Sequence, residues 1–330
     1  MFSKPCSRNS ISTRFAGESA CSGLPIAKPT SRVPRSAPDN GGNMPEAWSR
    51  TKMYRTYLDE YSAKWAEYFS FKREDGILEM RMHTLNGPAK WSLELHRAFI
   101  PALADVHHDP ENEILIFSGT GDKFLDTMDP EGWERYDFKQ DMTFDRGYDF
   151  WYKDQVHEPF SFLNLEIPVI AAINGPCFIH QELALLNDIV IASESTTMAD
   201  GHYTGMGIVP GDGVQTIFRE LMGVNRAKYF LLTGQVLSAQ ELLDLGLVGE
   251  VVPDDQVIDR AWEIARTVFK PRARSTRVMT RALLVQPWRE ILVRELPAGM
   301  ANESWAVHGY WGMAQDGFDI ETLTSSEDEE

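Results

Sequence analysis

Cysteine is scarce, with Cys6, Cys21 and Cys177 the only three in 330 residues. That number cannot build a disulfide framework and fits a reducing compartment, so a cytoplasmic protein is expected. No Cys or His pair carries zinc-site spacing, and the adjacent His107 and His108 point in different directions. No metal is expected. Long apolar runs are also missing. The longest candidate, 167–173, contains Pro168 and is strand-sized, against the roughly 18 residues a spanning helix needs. No membrane association is expected. Cations are the minority, 32 Lys and Arg against 49 Asp and Glu, for a formal charge of −17. Nucleic-acid binding needs clustered cations and is excluded as a general property. Gly-x-Gly-x-x-Gly after a strand, a Walker loop and Gly-x-Ser-x-Gly are all absent, which removes local support for nucleotide binding and for a serine nucleophile on an elbow.

What is present is a globular composition, 43% hydrophobic and 11% aromatic. Residues 1–43 are rich in Ser, Pro, Asn and Gly and carry Lys4, Arg8, Arg14, Lys28, Arg32 and Arg35 against Glu18 and Asp39, a net of +4. The remainder therefore carries −21. Such a segment reads either as a disordered leader or as a mitochondrial transit peptide. Residues 313–330 end in Glu327-Asp328-Glu329-Glu330 and read as a solvated acidic tail. Between them a core is expected over 44–265 and a helical region over 266–312.

Short apolar strands alternate with helices, which indicates an α/β fold with a mainly parallel sheet. Helices are expected over 53–71, 92–104, 145–165, from Gly213, and over 224–232, 238–245, 253–269 and 299–311. Residues 68–72 and 77–83 flank Glu74-Asp75-Gly76 as a hairpin. Buried strands are expected at 114–117, 168–173 and 188–193, and a further helix from His180 to about Asn187. Ser238 and Glu241 form a capping box.

Several polar residues sit beside turns that interrupt buried strands. In Gly207-Ile208-Val209-Pro210-Gly211-Asp212-Gly213, glycines on both sides of Asp212 permit close backbone approach. Asp212 either caps the next helix or acts in a site. His202 is either a surface-loop histidine or a general base beside a buried Asp. His180 is either a satisfied interior histidine or a neutral imidazole donating to an oxyanion. Trp91 and His96, five apart at a helix start, offer a donor and a titrating ring, or core packing. Glu303, in an apolar helix, is either exposed or functional.

Taken together, 113–121, 167–176, 188–192, 207–213 and 232–252, with its Ser238-Ala-Gln-Glu-Leu-Leu-Asp-Leu-Gly-Leu-Val-Gly-Glu-Val-Val252 run, resemble the crotonase (enoyl-CoA hydratase/isomerase) superfamily. The resemblance spans about 54–308. It implies a crotonase-like spiral of ββα units, with C-terminal helices that pack in homotrimers or homohexamers. Two departures stand out. Asn174-Gly175-Pro176-Cys177-Phe178-Ile179-His180 replaces the glycine-rich segment whose amides hold a thioester oxyanion, and 124–129 lacks an Ala-Gly pair.

The closer resemblance is to the carbon–carbon hydrolase branch of 6-oxocamphor and β-diketone hydrolases. There water attacks one carbonyl of a 1,3-diketone, and retro-Claisen cleavage releases an enolate that is protonated to a keto acid. The resemblance implies an apolar, cyclic diketone as substrate and no cofactor. It implies Trp91 and His180 as carbonyl donors, Asp212 with His202 as the base pair, Glu303 positioning water, and His96 beside Trp91. Phe124, Met128, Phe178 and Tyr203 are expected to contact substrate. In the branch the base histidine lies nine residues before the Asp, which here is Tyr203. Loops absorb such slips, so His202 is taken as the base; were the slip not absorbed, the base would be missing. Two rival readings remain: a CoA-thioester hydratase or isomerase with Glu182 and Glu303 as acids or bases, and a non-catalytic subunit of the same fold.

Overall fold

Ile114-Leu115-Ile116-Phe117 and Val169-Ile170-Ala171-Ala172-Ile173 are apolar on both faces, the pattern of strands covered from two sides. In the computed structural model, which describes residues 54–129, 131–132 and 147–310, they lie side by side in a parallel sheet. The expected leader and acidic tail lie outside the described residues, as does the start of the helix expected over 145–165.

The strands are β1 (Phe69–Glu74), β2 (Ile77–Met82), β3 (Lys90–Trp91), β4 (Ile114–Ser118), β5 (Thr127–Met128), β6 (Val169–Ile173), β7 (Ile189–Ser193), β8 (Thr197–Met198), β9 (Leu237–Ser238) and β10 (Glu250–Val252). A six-stranded sheet runs β1-β2-β4-β6-β7-β10, with β1 and β2 antiparallel and the other pairings parallel. The short strands make a second layer. Trp91 pairs with Met128, Leu125 with Cys177, Cys177 with Met198, and Met198 with Leu237. Each turn of the chain thus gives a long strand to one sheet and a short one to the other, which is the spiral expected of ββα units.

The helices are α1 (Leu58–Lys64), α2 (Leu93–His108), α3 (Lys153–Leu163), α4 (Glu182–Leu185), α5 (Val214–Met222), α6 (Val224–Thr233), α7 (Ala239–Asp244), α8 (Val257–Ile264), α9 (Arg274–Leu284) and α10 (Gln286–Tyr310). On one face of the sheet Ile114, Ile116, Ile170, Ala172 and Ile191 pack on Val257, Ala261 and Trp262 of α8. On the other, Leu115, Phe117, Val169, Ala171 and Ile173 join the main core with Phe99 and Phe162. Each of the larger of these side chains contributes roughly 1.5–3 kcal/mol by leaving water. No helix among the described residues is long and apolar enough to cross a membrane.

Three helices differ from expectation. Residues 53–71 yield only α1, because Phe69 is drawn into β1 and Trp65 Nε1 donates to Asp105 at 2.8 Å. The helix from His180 shrinks to Glu182–Leu185, since His180 takes a left-handed φ of 50° that a helix cannot contain. The helix expected over 299–311 is the second half of α10, which continues through Pro297. The Ser238–Glu241 capping box forms as expected.

Candidate active site

The Asn174-Gly175 turn at the end of β6 is fixed by sterics and hydrogen bonds. Asn174 Oδ1 accepts from Gly119 N at 3.0 Å, and its Nδ2 donates to the carbonyls of Gly121 and Lys123. A Cβ on Gly175, at φ 148°, would lie 1.8 Å from the Asp122 carbonyl oxygen. Only glycine fits there. The clamp brings 124–128 alongside 177–179, where the Phe178 and Ile179 amides both donate to the Leu125 carbonyl at 2.9 and 3.2 Å. Those two N–H groups are committed to the fold. An oxyanion near them must be met by side chains.

His180 follows immediately. A non-glycine residue at positive φ stores roughly 1 kcal/mol or more, and such strain gathers at functional sites. Its ring lies 4.0 Å from Trp91 and 5.8 Å from His96, centroid to centroid. Nδ1 is hydrogen-bonded to Glu182 Oε1 and stands 3.8 Å from both Glu158 Oε2 and Asp212 Oδ2. Glu158, fully buried on α3, lies 3.1 Å from His96 Nε2. Burial pushes the His180 imidazole down, but Glu182, then Glu158 and Asp212, outweigh it and lift the pKa to about 9. These carboxyls favour the protonated ring, against the neutral imidazole that was one of the two readings of the sequence.

The second histidine sits in the loop between β8 and α5. Asp200 Oδ2 bonds His202 Nδ1 at 2.9 Å and Oδ1 accepts from the His202 amide, so the ring is clamped from that side. His202 Nε2 faces Asp212 Oδ2 at 3.4 Å. Burial lowers the His202 pKa, yet Asp200 and Asp212 together raise it well above the usual range. The His202 ring, one position before Tyr203, thus points at Asp212 and lines the same cavity as Trp91 and His180. The carboxylate that orients the ring through Nδ1 is Asp200, and Asp212 stands at the opposite nitrogen.

Glu303 comes from α10. A Cβ on Gly211 would meet the Gly299 carbonyl oxygen at 2.3 Å, so the two glycines allow α10 to close on the Asp212 loop. One turn beyond Gly299, Glu303 accepts from Gly211 N at 2.9 Å and from Trp151 Nε1 at 3.1 Å. Burial raises its pKa to about 8; His202 opposes this and Asp212 reinforces it. Asp212 Oδ1 also accepts from Val214 N, the first residue of α5, at 3.3 Å, while its Oδ2 faces the two histidines.

These groups surround one cavity of about 90 Å³. Its apolar wall includes Trp91, Met128, Phe178, Ile179, Met206 and Ile208, and its polar wall His180, His202, Glu303, Gln155 and Asp126. Asp212 and His96 stand behind that wall. Two expected substrate contacts are elsewhere. Phe124 is completely buried, its ring 5.6 Å from that of Phe117 in the core. Tyr203 is 53% exposed, because turning His202 inward sends the next residue out. The sequence reading missed Asp200 altogether, and with it Trp151, Gln155 and Glu158, which recur at helical spacing along one face running into α3. That stripe was the available signal.

Two sets, Glu158–His180–Glu182 and His202–Asp212–Glu303, bring donor atoms within 4.8 Å of one another. They include donors that zinc accepts. In the first set His180 Nδ1 is already hydrogen-bonded to Glu182, the arrangement of an acid–base pair.

Residues 72–302 match the enoyl-CoA hydratase/isomerase family. A probable peroxisomal enoyl-CoA hydratase 1 of Arabidopsis thaliana is 31% identical over 205 residues, 60% of this chain and 72% of that protein. Among solved structures, a β-diketone hydrolase from the cyanobacterium Anabaena sp. PCC 7120, bound to (S)-3-oxocyclohexyl acetic acid, is 35% identical, with a TM-score of 0.70 over 76% of this chain and 97% of that one. An enoyl-CoA hydratase from Bacillus halodurans, 16% identical, has a TM-score of 0.65 over 78% and 99% and shares the fold. The spiral of paired strands and the match across most of the described residues make this chain a member of the enoyl-CoA hydratase/isomerase family, the crotonase superfamily.

Proposed function

We propose that this protein is a cofactor-independent hydrolase that cleaves a carbon–carbon bond of an apolar, cyclic β-diketone by a retro-Claisen mechanism. The observation that carries the reading is the convergence of His202, backed by Asp212, with His180 and Glu303 on one cavity whose opposite wall is apolar. The likeness to the Anabaena β-diketone hydrolase supports it. Water adds to one carbonyl and its proton passes to the His202–Asp212 pair, with Asp212 the accepting carboxylate and Asp200 holding the His202 imidazolium in place. Glu303, tied to Gly211 and Trp151, positions that water. Charge developing on the carbonyl oxygens is met by cationic His180 beside Trp91, since the amides of Phe178 and Ile179 are engaged. The bond between the carbonyls then breaks to an enolate.

A second reading, hydration or isomerisation of a CoA thioester, draws on the named relatives and on the buried carboxyls of Glu182 and Glu303. The test is to incubate the protein with a panel of cyclic 1,3-diketones and follow loss of enol absorbance, with an enoyl-CoA thioester in parallel. Cleavage of a diketone without thioester turnover is expected. Thioester turnover alone, or a folded protein inert to the whole panel, overturns the reading. Self-association through the C-terminal helices belongs to the same proposal: Met279, Leu283, Leu284 and Trp305 are exposed apolar residues on α9 and α10. Sedimentation should find an oligomer rather than a monomer.

A further inference from the structure

We infer that His180 and Glu182 form a second acid–base pair, separate from the water-activating one, that delivers the proton quenching the enolate carbon, with Glu158 holding His180 in register against His96. This rests on the retro-Claisen reading and assigns its proton donor.

The geometry is that of two imidazole–carboxyl pairs facing each other across Asp212. His202 has Nδ1 on Asp200, while His180 has Nδ1 on Glu182. Asp212 Oδ2 lies between the rings, 3.4 Å from His202 Nε2 and 3.8 Å from His180 Nδ1. With Nδ1 turned to Glu182, the other nitrogen of His180 is the one left to the cavity that the ring lines. Glu158 is wholly buried and neither of its oxygens makes a hydrogen bond, yet Oε2 stands 3.1 Å from His96 Nε2 and 3.8 Å from His180 Nδ1. A bare carboxylate in such a place is costly unless charge or protons compensate. Here the compensation is the two imidazoles.

The groups facing His180 are therefore Glu182, Glu158, Asp212, the His96 ring and the Trp91 ring. Burial, with Asp212 and Glu158 adding to it, raises Glu182 to about 7 against the pull of His180. The proton shared between Glu182 and His180 Nδ1 leaves the second ring nitrogen able to donate.

The proton count closes. Water gives its oxygen and one hydrogen to the acyl carbon and its other proton to the His202–Asp212 pair. The carbon–carbon bond breaks, and its electrons pass into the enolate. The enolate carbon takes a proton from the cavity-facing nitrogen of His180. The carboxylic acid formed in the cavity returns its proton to that nitrogen, the proton taken from water leaves the His202–Asp212 pair to solvent, and Glu182 holds Nδ1 throughout. The product is a keto carboxylate.

Enolate protonation can be run backwards without water attack. In D2O, (S)-3-oxocyclohexyl acetic acid should exchange a hydrogen next to its ring carbonyl when the wild-type protein is added, followed by proton NMR. Glu182→Gln should slow this exchange about 100-fold with little change in keto acid affinity, and Glu182→Asp should recover part of it. His202→Gln should lose diketone cleavage while keeping exchange. A protein that cleaves diketones but exchanges equally well as wild type and as Glu182→Gln overturns the inference. So does loss of exchange and cleavage together in His202→Gln. If Glu182→Gln does not fold, Glu182→Asp with wild-type exchange decides against it equally. Absence of diketone cleavage by any form instead overturns the functional reading beneath it.

Discussion

His202 Nε2 stands 3.4 Å from Asp212 Oδ2, and the neighbouring Tyr203 points away to solvent. The histidine that faces Asp212 is thus one position earlier than the spacing of the family branch implies. His202→Gln should lower kcat for diketone cleavage by about 10²–10⁴-fold, the range for losing a positioned base. Tyr203→Phe should leave it within about twofold. Steady-state kinetics of the two variants side by side check this, and equal losses would remove His202 from its role.

Asp200 holds the other nitrogen of that ring at 2.9 Å. A carboxylate there fixes the tautomer that leaves Nε2 basic, and an amide in its place presents the wrong atoms to Nδ1. Asp200→Asn should lower kcat by about 10²–10⁴-fold with KM nearly unchanged, because nothing in the cavity wall has moved. A rise in KM with unaltered kcat would mean that Asp200 only shapes the loop.

The legible and illegible parts divide by the physics of burial. Strands β4, β6 and β7 announce themselves because a sheet covered on both faces needs unbroken apolar runs. His180, His202, Asp212 and Glu303 stand out because each is polar within an apolar or glycine-rich setting. Glu158 and Gln155 do not, since on an amphipathic helix a polar residue ordinarily faces water, and only the packing of α3 against α2 and α10 turns them inward. Phe124 was misplaced for the converse reason: aromatic character alone does not distinguish a pocket wall from a core, and here Phe117 claims the ring. The electrostatics of His180 were invisible too, because Glu158 and Asp212 reach it from distant parts of the chain to join the nearby Glu182.

The Gly211–Gly299 approach ties the Asp212 loop to α10. A methyl on Gly211 would sit 2.3 Å from the Gly299 carbonyl oxygen and 2.8 Å from Glu303 Cβ, both too close to keep. Gly211→Ala should destabilise by about 2–4 kcal/mol, the range for overpacking a buried contact beside a functional backbone position. Any residual folded protein should show kcat reduced more than KM raised, because Glu303 loses the Gly211 amide. Thermal melts with matched kinetics check this; a variant of ordinary stability and rate would show that α10 yields without consequence.

The same helix makes stability depend on pH in a definite direction. Glu303 is raised from 4.5 to about 8 in the folded protein, so between those values the unfolded chain has lost a proton that the folded one keeps. The folded state binds more protons, and stability must fall as pH rises through that window. His180, lifted from 6.5 to about 9, acts in the same sense: its contribution is fully present below 6.5 and is lost as pH approaches 9. The melting temperature should therefore decline from pH 6 to pH 9, by an amount on the order of 1–3 kcal/mol in unfolding free energy. Glu303→Gln cannot ionise and should flatten the lower part of this decline, leaving the His180 part above pH 7. It should also lower kcat, because Trp151 and Gly211 both donate to the carboxyl oxygens and an amide can accept only one of them. Calorimetric melts of both proteins across pH 5–9 check the sign. A melting temperature that rises with pH in the wild type, or an unaltered slope in Glu303→Gln, would contradict it.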